Sequence, residues 1–210
     1  SLIKLKNVQK KEYSRLEKIK NHKKIIVCFG VSLRSKREVG LVGEDGLSLK
    51  SNINFLNTIY KLANQNLDHY YIIHYKMNNL KNKIEKSFFN KFYKLKNIEI
   101  TNEKFSLNSY ELSCFADLII GRVSNINEEL LSKGKKIIIY DNEKLLKTLD
   151  YKINQLENYV TDPNNLNNKM KEMLKKSFEY NEKTNKFIED YLTNKNNVSN
   201  YEIVKNIIKE

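Results

Sequence analysis

The sequence predicts an α/β fold, a Rossmann-like doubly wound parallel sheet with further helices at its C-terminal end. Short runs of β-branched and aliphatic residues alternate with amphipathic segments along the chain. The connections between them are short, apart from one polar stretch at residues 31–50. Strands that alternate with helices in this way form a parallel sheet that is covered by helices on both faces.

The strands are predicted from apolar runs that end at a glycine or a polar residue. The first run, KKIIVCFG at residues 23–30, is typical of a strand that is buried on both faces. Residues 25–29 and 118–121 are predicted to be the central strands, which flank the point where the strand order reverses. After the first run, the remaining strands are predicted at residues 69–75, 97–100, 117–121 (which contains the central residues 118–121), 135–141 and 158–160.

The helices are predicted from apolar residues at three- and four-residue spacing and from signals at their ends. Asp162 and Pro163 mark a helix start, and Gly134 marks a helix end. The predicted helices begin at residue 51 and span residues 79–95, 108–116, 124–132, 163–192 and 200–209. The chain is expected to divide into a basic helix or lead-in at residues 1–22, a Rossmann-like domain at 23–180 and a helical tail at 181–210.

Charge and cysteine usage restrict the partners and the location. The net charge is +13, but the basic residues are spread along the chain without a nucleic-acid-binding motif, which argues against nucleic acid. Peripheral contact with the inner face of a membrane stays open as an alternative. Cys28 and Cys114 lie in apolar runs, and the 3 histidines have no metal-ligand spacing. We therefore expect a cytoplasmic protein that needs no metal and no other cofactor.

The first candidate site follows the first strand, because ligands of open parallel sheets bind beyond the carboxyl ends of the strands. Ser32 and Arg34, with Lys36 and Arg37, suit a diphosphate, although a solvated basic loop has the same composition. Gly30 belongs to neither a GxGxxG nor a GKS or GKT motif, which argues against a NAD enzyme and an NTPase. We expect residues 31–50 to close over a phosphate as a lid.

The second candidate site follows the fourth strand. Gly121 lets the backbone turn tightly, and Ser124 and Asn125 are good N-caps for a helix whose free N–H groups can bind phosphate. Glu129, one turn into that helix, can accept hydrogen bonds from both hydroxyls of a ribose. The alternative is that Ser124 only caps the helix and that Glu128 and Glu129 complement its dipole.

This second stretch resembles the C-terminal, donor-binding half of GT-B glycosyltransferases, in particular the bacterial surface-polysaccharide and CDP-glycerol glycerophosphotransferase-like groups. In that family an Ala-Asp pair and an aliphatic strand lead into a small-residue loop, a helix with glutamate, and a Gly-Lys turn before the next strand. Residues 116–121, 124–130 and 133–139 follow this order. The order of strands and helices extends the resemblance over residues 23–180.

The resemblance implies that Ser124 and Asn125 hold the phosphates of a nucleotide-activated donor and that Glu129 holds its ribose. The chain departs from the family at Asn125, where the family often has serine, and at Leu130, where it has alanine. The Arg-Pro-His or His-Pro that often follows the family's second strand corresponds here only to His74. That residue is either a remnant of the motif, which contacts phosphate or base, or an ordinary strand-end histidine.

The implied function is donor binding in a glycosyltransferase or glycerophosphotransferase of surface-polysaccharide synthesis. The donor would be UDP-, CDP- or CMP-linked, and the acceptor a polysaccharide or a lipid-linked molecule. The family usually takes its general base from the N-terminal half, so no catalytic residue is assigned. A non-catalytic nucleotide-binding or interaction module of the same fold and a sugar-nucleotide epimerase stay open as alternatives.

Overall fold

The computed structural model describes residues 2–31, 49–75, 87–101, 107–122, 125–144 and 152–192. The strands are β1 (Lys24–Val31), β2 (His69–Tyr75), β3 (Ile98–Ile100), β4 (Leu118–Gly121), β5 (Ile137–Tyr140) and β6 (Tyr159–Val160). They form one parallel sheet in the order β3-β2-β1-β4-β5-β6. The order reverses between the neighbours β1 and β4, which confirms the predicted fold class and the two predicted central strands.

Helices cover both faces of the sheet. They are α1 (Leu2–Lys20), α2 (Leu49–Gln65), α3 (Ser109–Phe115), α4 (Asn125–Ser132), α5 (Pro163–Met173) and α6 (Glu182–Phe187), and a π-helical turn follows at Ile188–Leu192. The cores show which helix lies on which face. Phe55 of α2 and Met170 of α5 are buried in one core, whereas Leu16 of α1, Leu112 of α3 and Leu130 of α4 are buried in the other.

The side chains of β1 show why this strand is apolar throughout. Ile26 and Cys28 lie in the core beneath α2, and Ile25, Val27 and Phe29 lie in the core on the opposite face. Successive side chains of a strand point to opposite faces, so a strand covered on both faces needs apolar residues at every position. Burial also raises the pKa of the Cys28 thiol, which is consistent with a packing role for this cysteine.

Two polar side chains fix the amino edge of the sheet, where the strands begin. The Asp117 carboxylate accepts a hydrogen bond from the Ile25 N–H at 2.8 Å and so ties β1 to the start of β4. The buried Asn97 amide donates to the carbonyl oxygens of Ala63 at 2.9 Å and Asn66 at 3.2 Å, and to that of His69 at 3.2 Å. Asn97 therefore joins the end of α2 to the starts of β2 and β3.

The helix ends confirm two predictions and correct a third. Asp162 caps α5, and Gly134 takes a positive φ of 72° after α4. The continuous helix predicted for residues 163–192 is wrong, because the chain leaves the helix after Met173 and begins α6 at Glu182. Tyr180 explains the break: its hydroxyl donates to the Lys135 carbonyl at 3.0 Å and accepts from the Ile137 N–H at 2.7 Å.

Two predicted helices reach beyond the described residues. The helix at residues 200–209 lies wholly outside them, and of the helix at 79–95 only the end is described, where a 3-10 turn forms at Phe92–Lys94. Among the described residues, no helix is long and apolar enough to cross a membrane.

At the end of β4, helix α4 comes so close that residue 121 must be glycine. A Cβ atom on Gly121 would overlap the side-chain amide of Asn127, which is buried and donates a hydrogen bond to the Arg122 carbonyl. The glycine is therefore required by close approach, and it lets α4 begin directly at the carboxyl edge of the sheet.

We expect Asn97→Ala to lower the free energy of unfolding by about 1–3 kcal/mol, because it leaves the carbonyls of Ala63, Asn66 and His69 without this donor. Urea unfolding followed by circular dichroism measures the change. Asn164→Ala, at an exposed position in the first turn of α5, is the matched control and should be nearly neutral. Equal stability of the two variants would show that the Asn97 amide contributes little to the junction.

We expect Gly121→Ala to destabilise the protein by about 1–3 kcal/mol through overpacking against Asn127. Asn127→Ala removes the side chain that the new methyl group would meet, so the double variant should be more stable than the sum of the single effects predicts. A double-mutant cycle in urea measures this coupling. Strictly additive effects would contradict the proposed close approach.

Candidate functional site

A buried group of polar side chains lies at the carboxyl ends of β1 and β4. Arg122 directly follows β4, and its side chain is only 2% exposed. Its guanidinium donates from Nη1 to Oδ1 of Asn52 at 2.6 Å and from Nη2 to Oγ of Ser51 at 2.5 Å. Ser51 and Asn52 belong to the first turn of α2. We use the name carboxyl-edge cluster for Ser51, Asn52, Arg122, Asn127 and Asp141.

Opposing charges lie close together in this cluster. Burial lowers the pKa of Arg122, and the carboxylates of Asp141 and then Glu143 act in the opposite direction. The Arg122 guanidinium nevertheless stays protonated, as arginine does throughout the physiological range. Asp141 follows β5, is itself buried, and accepts a hydrogen bond from the Tyr159 hydroxyl at 2.7 Å. The carboxyl edge therefore holds a buried arginine with a buried carboxylate nearby.

Hydrogen bonds between loops and helices hold the cluster in place. The Asn127 amide of α4 donates to the Arg122 carbonyl, and the Asn142 amide donates to the Ser51 carbonyl at 3.4 Å. The Arg122 N–H donates to the Phe29 carbonyl of β1 at 3.4 Å. The starts of α2 and α4 and the residues that follow β4 and β5 are therefore joined before any ligand arrives, which is the preorganisation that a binding site needs.

Two helix N-termini add to the positive potential at this edge. Both α2 and α4 begin at the carboxyl ends of the strands, where the positive ends of their dipoles lie. Asn127 supplies a different group, because its buried Oδ1 has no hydrogen-bond partner among the described residues. The edge can therefore bind an anion at the helix starts and offers a buried acceptor for a hydroxyl or an N–H.

His74 is ordered near the end of β2. Its ring packs edge-on against Phe29 with 5.7 Å between the ring centroids, and its Nδ1 lies 3.3 Å from the Thr101 hydroxyl. The same hydroxyl accepts from the Tyr75 N–H at 3.0 Å, so the residue after β3 holds the end of β2. In any tautomer the imidazole carries an N–H group, a donor of the kind that a phosphate or a carbonyl accepts.

Glu129 makes its hydrogen bond to a neighbouring helix. Its Oε2 accepts from the Tyr110 hydroxyl of α3 at 2.8 Å, and the side chain is half-buried. The second oxygen of the carboxylate keeps its capacity to accept a hydrogen bond. The predicted contact of Glu129 with a ribose stays a prediction.

The structure brings some of the predicted site residues together. Gly121 and His74 lie at the carboxyl edge, Asn125 begins α4, and Glu129 lies one turn further along this helix. Ser32, Arg34 and Ser124 lie outside the described residues, as does the predicted lid apart from residues 31, 49 and 50.

None of the five residues of the carboxyl-edge cluster was among the site residues predicted from the sequence. Arg122 and Asp141 each directly follow a strand, so the rule that ligands bind at strand ends could have found them. Nothing local in the sequence pairs Ser51 and Asn52 with Arg122. Among the described residues, no group of three or more His, Cys, Asp or Glu side chains could hold a metal ion.

No protein-family model and no curated protein sequence matches the chain. Solved structures do. The UDP-GlcNAc 2-epimerase from Neisseria meningitidis, bound to UDP-GlcNAc, matches with a TM-score of 0.52 and 16% identity over 100% of this chain and 51% of its own. The UDP-GlcNAc 2-epimerase from Methanocaldococcus jannaschii, in complex with UDP-GlcNAc and UDP, matches with a TM-score of 0.47 and 16% identity. The match covers 99% of this chain and 50% of that epimerase. The wall teichoic acid polymerase TagF matches with a TM-score of 0.48 and 16% identity, over 99% of this chain and 48% of the polymerase.

The chain thus spans about half the length of the enzymes that it resembles in structure. At 16% identity the match to the meningococcal epimerase shows the fold and nothing finer. Together with the observed strand order, it confirms that the chain has the fold of one half of a GT-B-type enzyme.

Proposed function

We propose that the chain is the donor-binding half of a GT-B-type transferase and binds a nucleotide-activated sugar or polyol phosphate at the carboxyl edge of β1 and β4. One observation carries the proposal: a buried arginine and two helix starts meet at the point where the strand order reverses. This is the position at which open α/β sheets bind nucleotides. The proposed pathway is surface-polysaccharide synthesis, for which the sequence resemblance is the support.

The donor's diphosphate would be held mainly by electrostatics. In this proposal the N–H groups at the start of α4, from Asn125 onward, hydrogen-bond to phosphate oxygens. The buried Arg122 guanidinium stays where the hydrogen bonds to Ser51 and Asn52 fix it, and its field acts on the phosphates through a poorly solvated medium. The same field would stabilise the negative charge that develops on a departing nucleotide.

Side chains around the helix start would set the orientation of the nucleotide. Glu129 would accept from a ribose hydroxyl through the carboxylate oxygen that Tyr110 does not use. His74 would hydrogen-bond through its imidazole ring to a phosphate or a base. The acceptor, a polysaccharide or a lipid-linked molecule, and the general base would come from the other half of the enzyme.

Nucleotide binding is the first test of the proposal. UDP-GlcNAc, which is bound to the structurally similar epimerase, and UDP, CDP, CMP and GDP are added separately, and the thermal unfolding midpoint is measured. A ligand at a hundred times its dissociation constant should stabilise the protein by about 2.7 kcal/mol, because it binds only the folded state. The absence of a shift with all five compounds, at concentrations up to the millimolar range, would contradict donor binding.

The second test removes the predicted ribose contact. We expect Glu129→Ala to weaken binding of the best nucleotide by about 10- to 100-fold, the effect of losing one charge-assisted hydrogen bond. Glu128→Ala removes the same charge from the same helix and should change the affinity much less. Titration calorimetry measures both. If the two variants bind as tightly as the parent, Glu129 serves only the helix dipole and Tyr110.

A further inference from the structure

A cavity at the amino edge of the sheet, opposite the carboxyl-edge cluster, has no part in the proposed function. Its volume is about 280 Å³, near the lower end of small-molecule pockets, which hold roughly 300–1,000 Å³. It lies between the start of β1, the residues before β4, the turn between α4 and β5, and the chain that follows α5. The side chains that matter in its wall are those of Lys24, Asp117, Lys135, Lys136, Leu174 and Lys176.

The lining of this cavity carries a strong excess of positive charge. Four of its side chains are lysines, and Asp117 is its one carboxylate. The charge of Asp117 is already engaged, since one oxygen accepts from the Ile25 N–H at 2.8 Å and the other lies 3.6 Å from Lys24 Nζ. Burial lowers the pKa of Lys136, the charge of Lys24 lowers it further, and the carboxylate of Asp117 acts in the opposite direction.

The backbone at Lys135 and Lys136 is held firmly. Lys135 and Lys136 follow the left-handed Gly134 and lead directly into β5. The Lys136 ammonium donates to the Lys175 carbonyl at 2.8 Å and lies 5.4 Å from the centre of the Phe178 ring. An ordered cation of this kind loses little side-chain entropy when a ligand arrives.

We propose that this cavity binds the phosphate group of a ligand with at least two negative charges. Such an anion would offset the mutual repulsion of the lysines and accept hydrogen bonds from several ammonium groups. The ligand is a soluble phosphate compound or the phosphate of an anionic lipid headgroup, two sources with the same chemistry. The four residues of β4, at about 3.3 Å each, separate this site from the carboxyl edge by about 13 Å. The proposal does not rest on donor binding.

Calorimetric titration with pyrophosphate, at constant ionic strength, tests the site. Lys24→Gln combined with Lys176→Gln, here called the cavity variant, should weaken binding by tenfold or more. Each substitution removes about one charge-assisted hydrogen bond to the ligand. The control, Lys10→Gln combined with Lys61→Gln, makes the same change in net charge at two exposed positions outside the cavity. It should bind within about twofold of the parent, because only diffuse electrostatics change.

Mapping separates this site from the proposed donor site. In amide NMR spectra, pyrophosphate should shift the signals of Gly134, Lys136 and Ile137, and these shifts should disappear in the cavity variant. Shifts confined to Gly121, Arg122 and Asn127 would overturn the proposal and assign the anion to the carboxyl edge. Binding that is equal in parent, cavity variant and control would overturn it as well.

A vesicle arm identifies the source of the phosphate. Sedimentation with phosphatidylglycerol vesicles is compared with sedimentation with phosphatidylcholine vesicles, for the parent and both double variants. If the parent and the control sediment with the anionic vesicles and the cavity variant does not, the ligand is a lipid headgroup. Pyrophosphate binding without vesicle binding supports a soluble phosphate. The proposal fails if neither probe depends on Lys24 and Lys176.

Discussion

The burial of the Arg122 guanidinium is the constraint on which the carboxyl edge depends. Removing a guanidinium from water is costly, and the cost is offset only when its N–H groups find acceptors in good geometry. Ser51 and Asn52 provide such acceptors, and their positions fix where α2 begins relative to β4. The Arg122 carbonyl in turn accepts from Asn127 and thereby sets the approach of α4. One buried charge thus determines the relative placement of both helix starts.

Gly121 and Arg122 act together in this arrangement. Without a side chain on Gly121, Asn127 can reach past the end of β4 to the following carbonyl. If residue 121 carried a Cβ atom, the Asn127 amide would have to move away, and the Arg122 carbonyl would lose this donor. A buried acceptor that loses its donor costs more than the hydrogen bond contributes on balance. The short segment from Gly121 to Asn127 is therefore specified by packing as much as by any ligand.

The strands could be predicted from the sequence, but the contents of the site only in part. Each strand is a short apolar run bounded by polar residues, and a parallel sheet with two covered faces requires that pattern locally. The partners of Arg122 lie about 70 positions earlier in the chain, and arginine is seldom fully buried. The break after Met173 escaped prediction for the same reason, because it depends on Tyr180 reaching Lys135 and Ile137. Periodicity identifies elements, whereas these contacts depend on how the elements pack.

Several lysines gather at the amino edge of the sheet, although basic residues are spread along the whole sequence. Helix carboxyl ends lie at the amino edge of a parallel α/β sheet, and their last carbonyls favour cations. Lys20 donates to the Phe115 carbonyl at the end of α3, and Lys23 donates to the Leu67 carbonyl just beyond α2. These two lysines are accounted for by the helices they cap.

Lys24 and Lys176 have a different setting. Lys24 begins a strand and shares the charge of Asp117 with the N–H of Ile25, whereas Lys176 lies on the irregular chain after α5. Capping of helix carbonyls therefore explains part of the positive charge at this edge and leaves the cavity with a surplus. In the phosphate site that we propose, this surplus lies beside the firmly held backbone of Lys135 and Lys136. We therefore propose anion binding at both edges of one sheet, through a buried arginine and helix starts at one edge and through lysines around a cavity at the other.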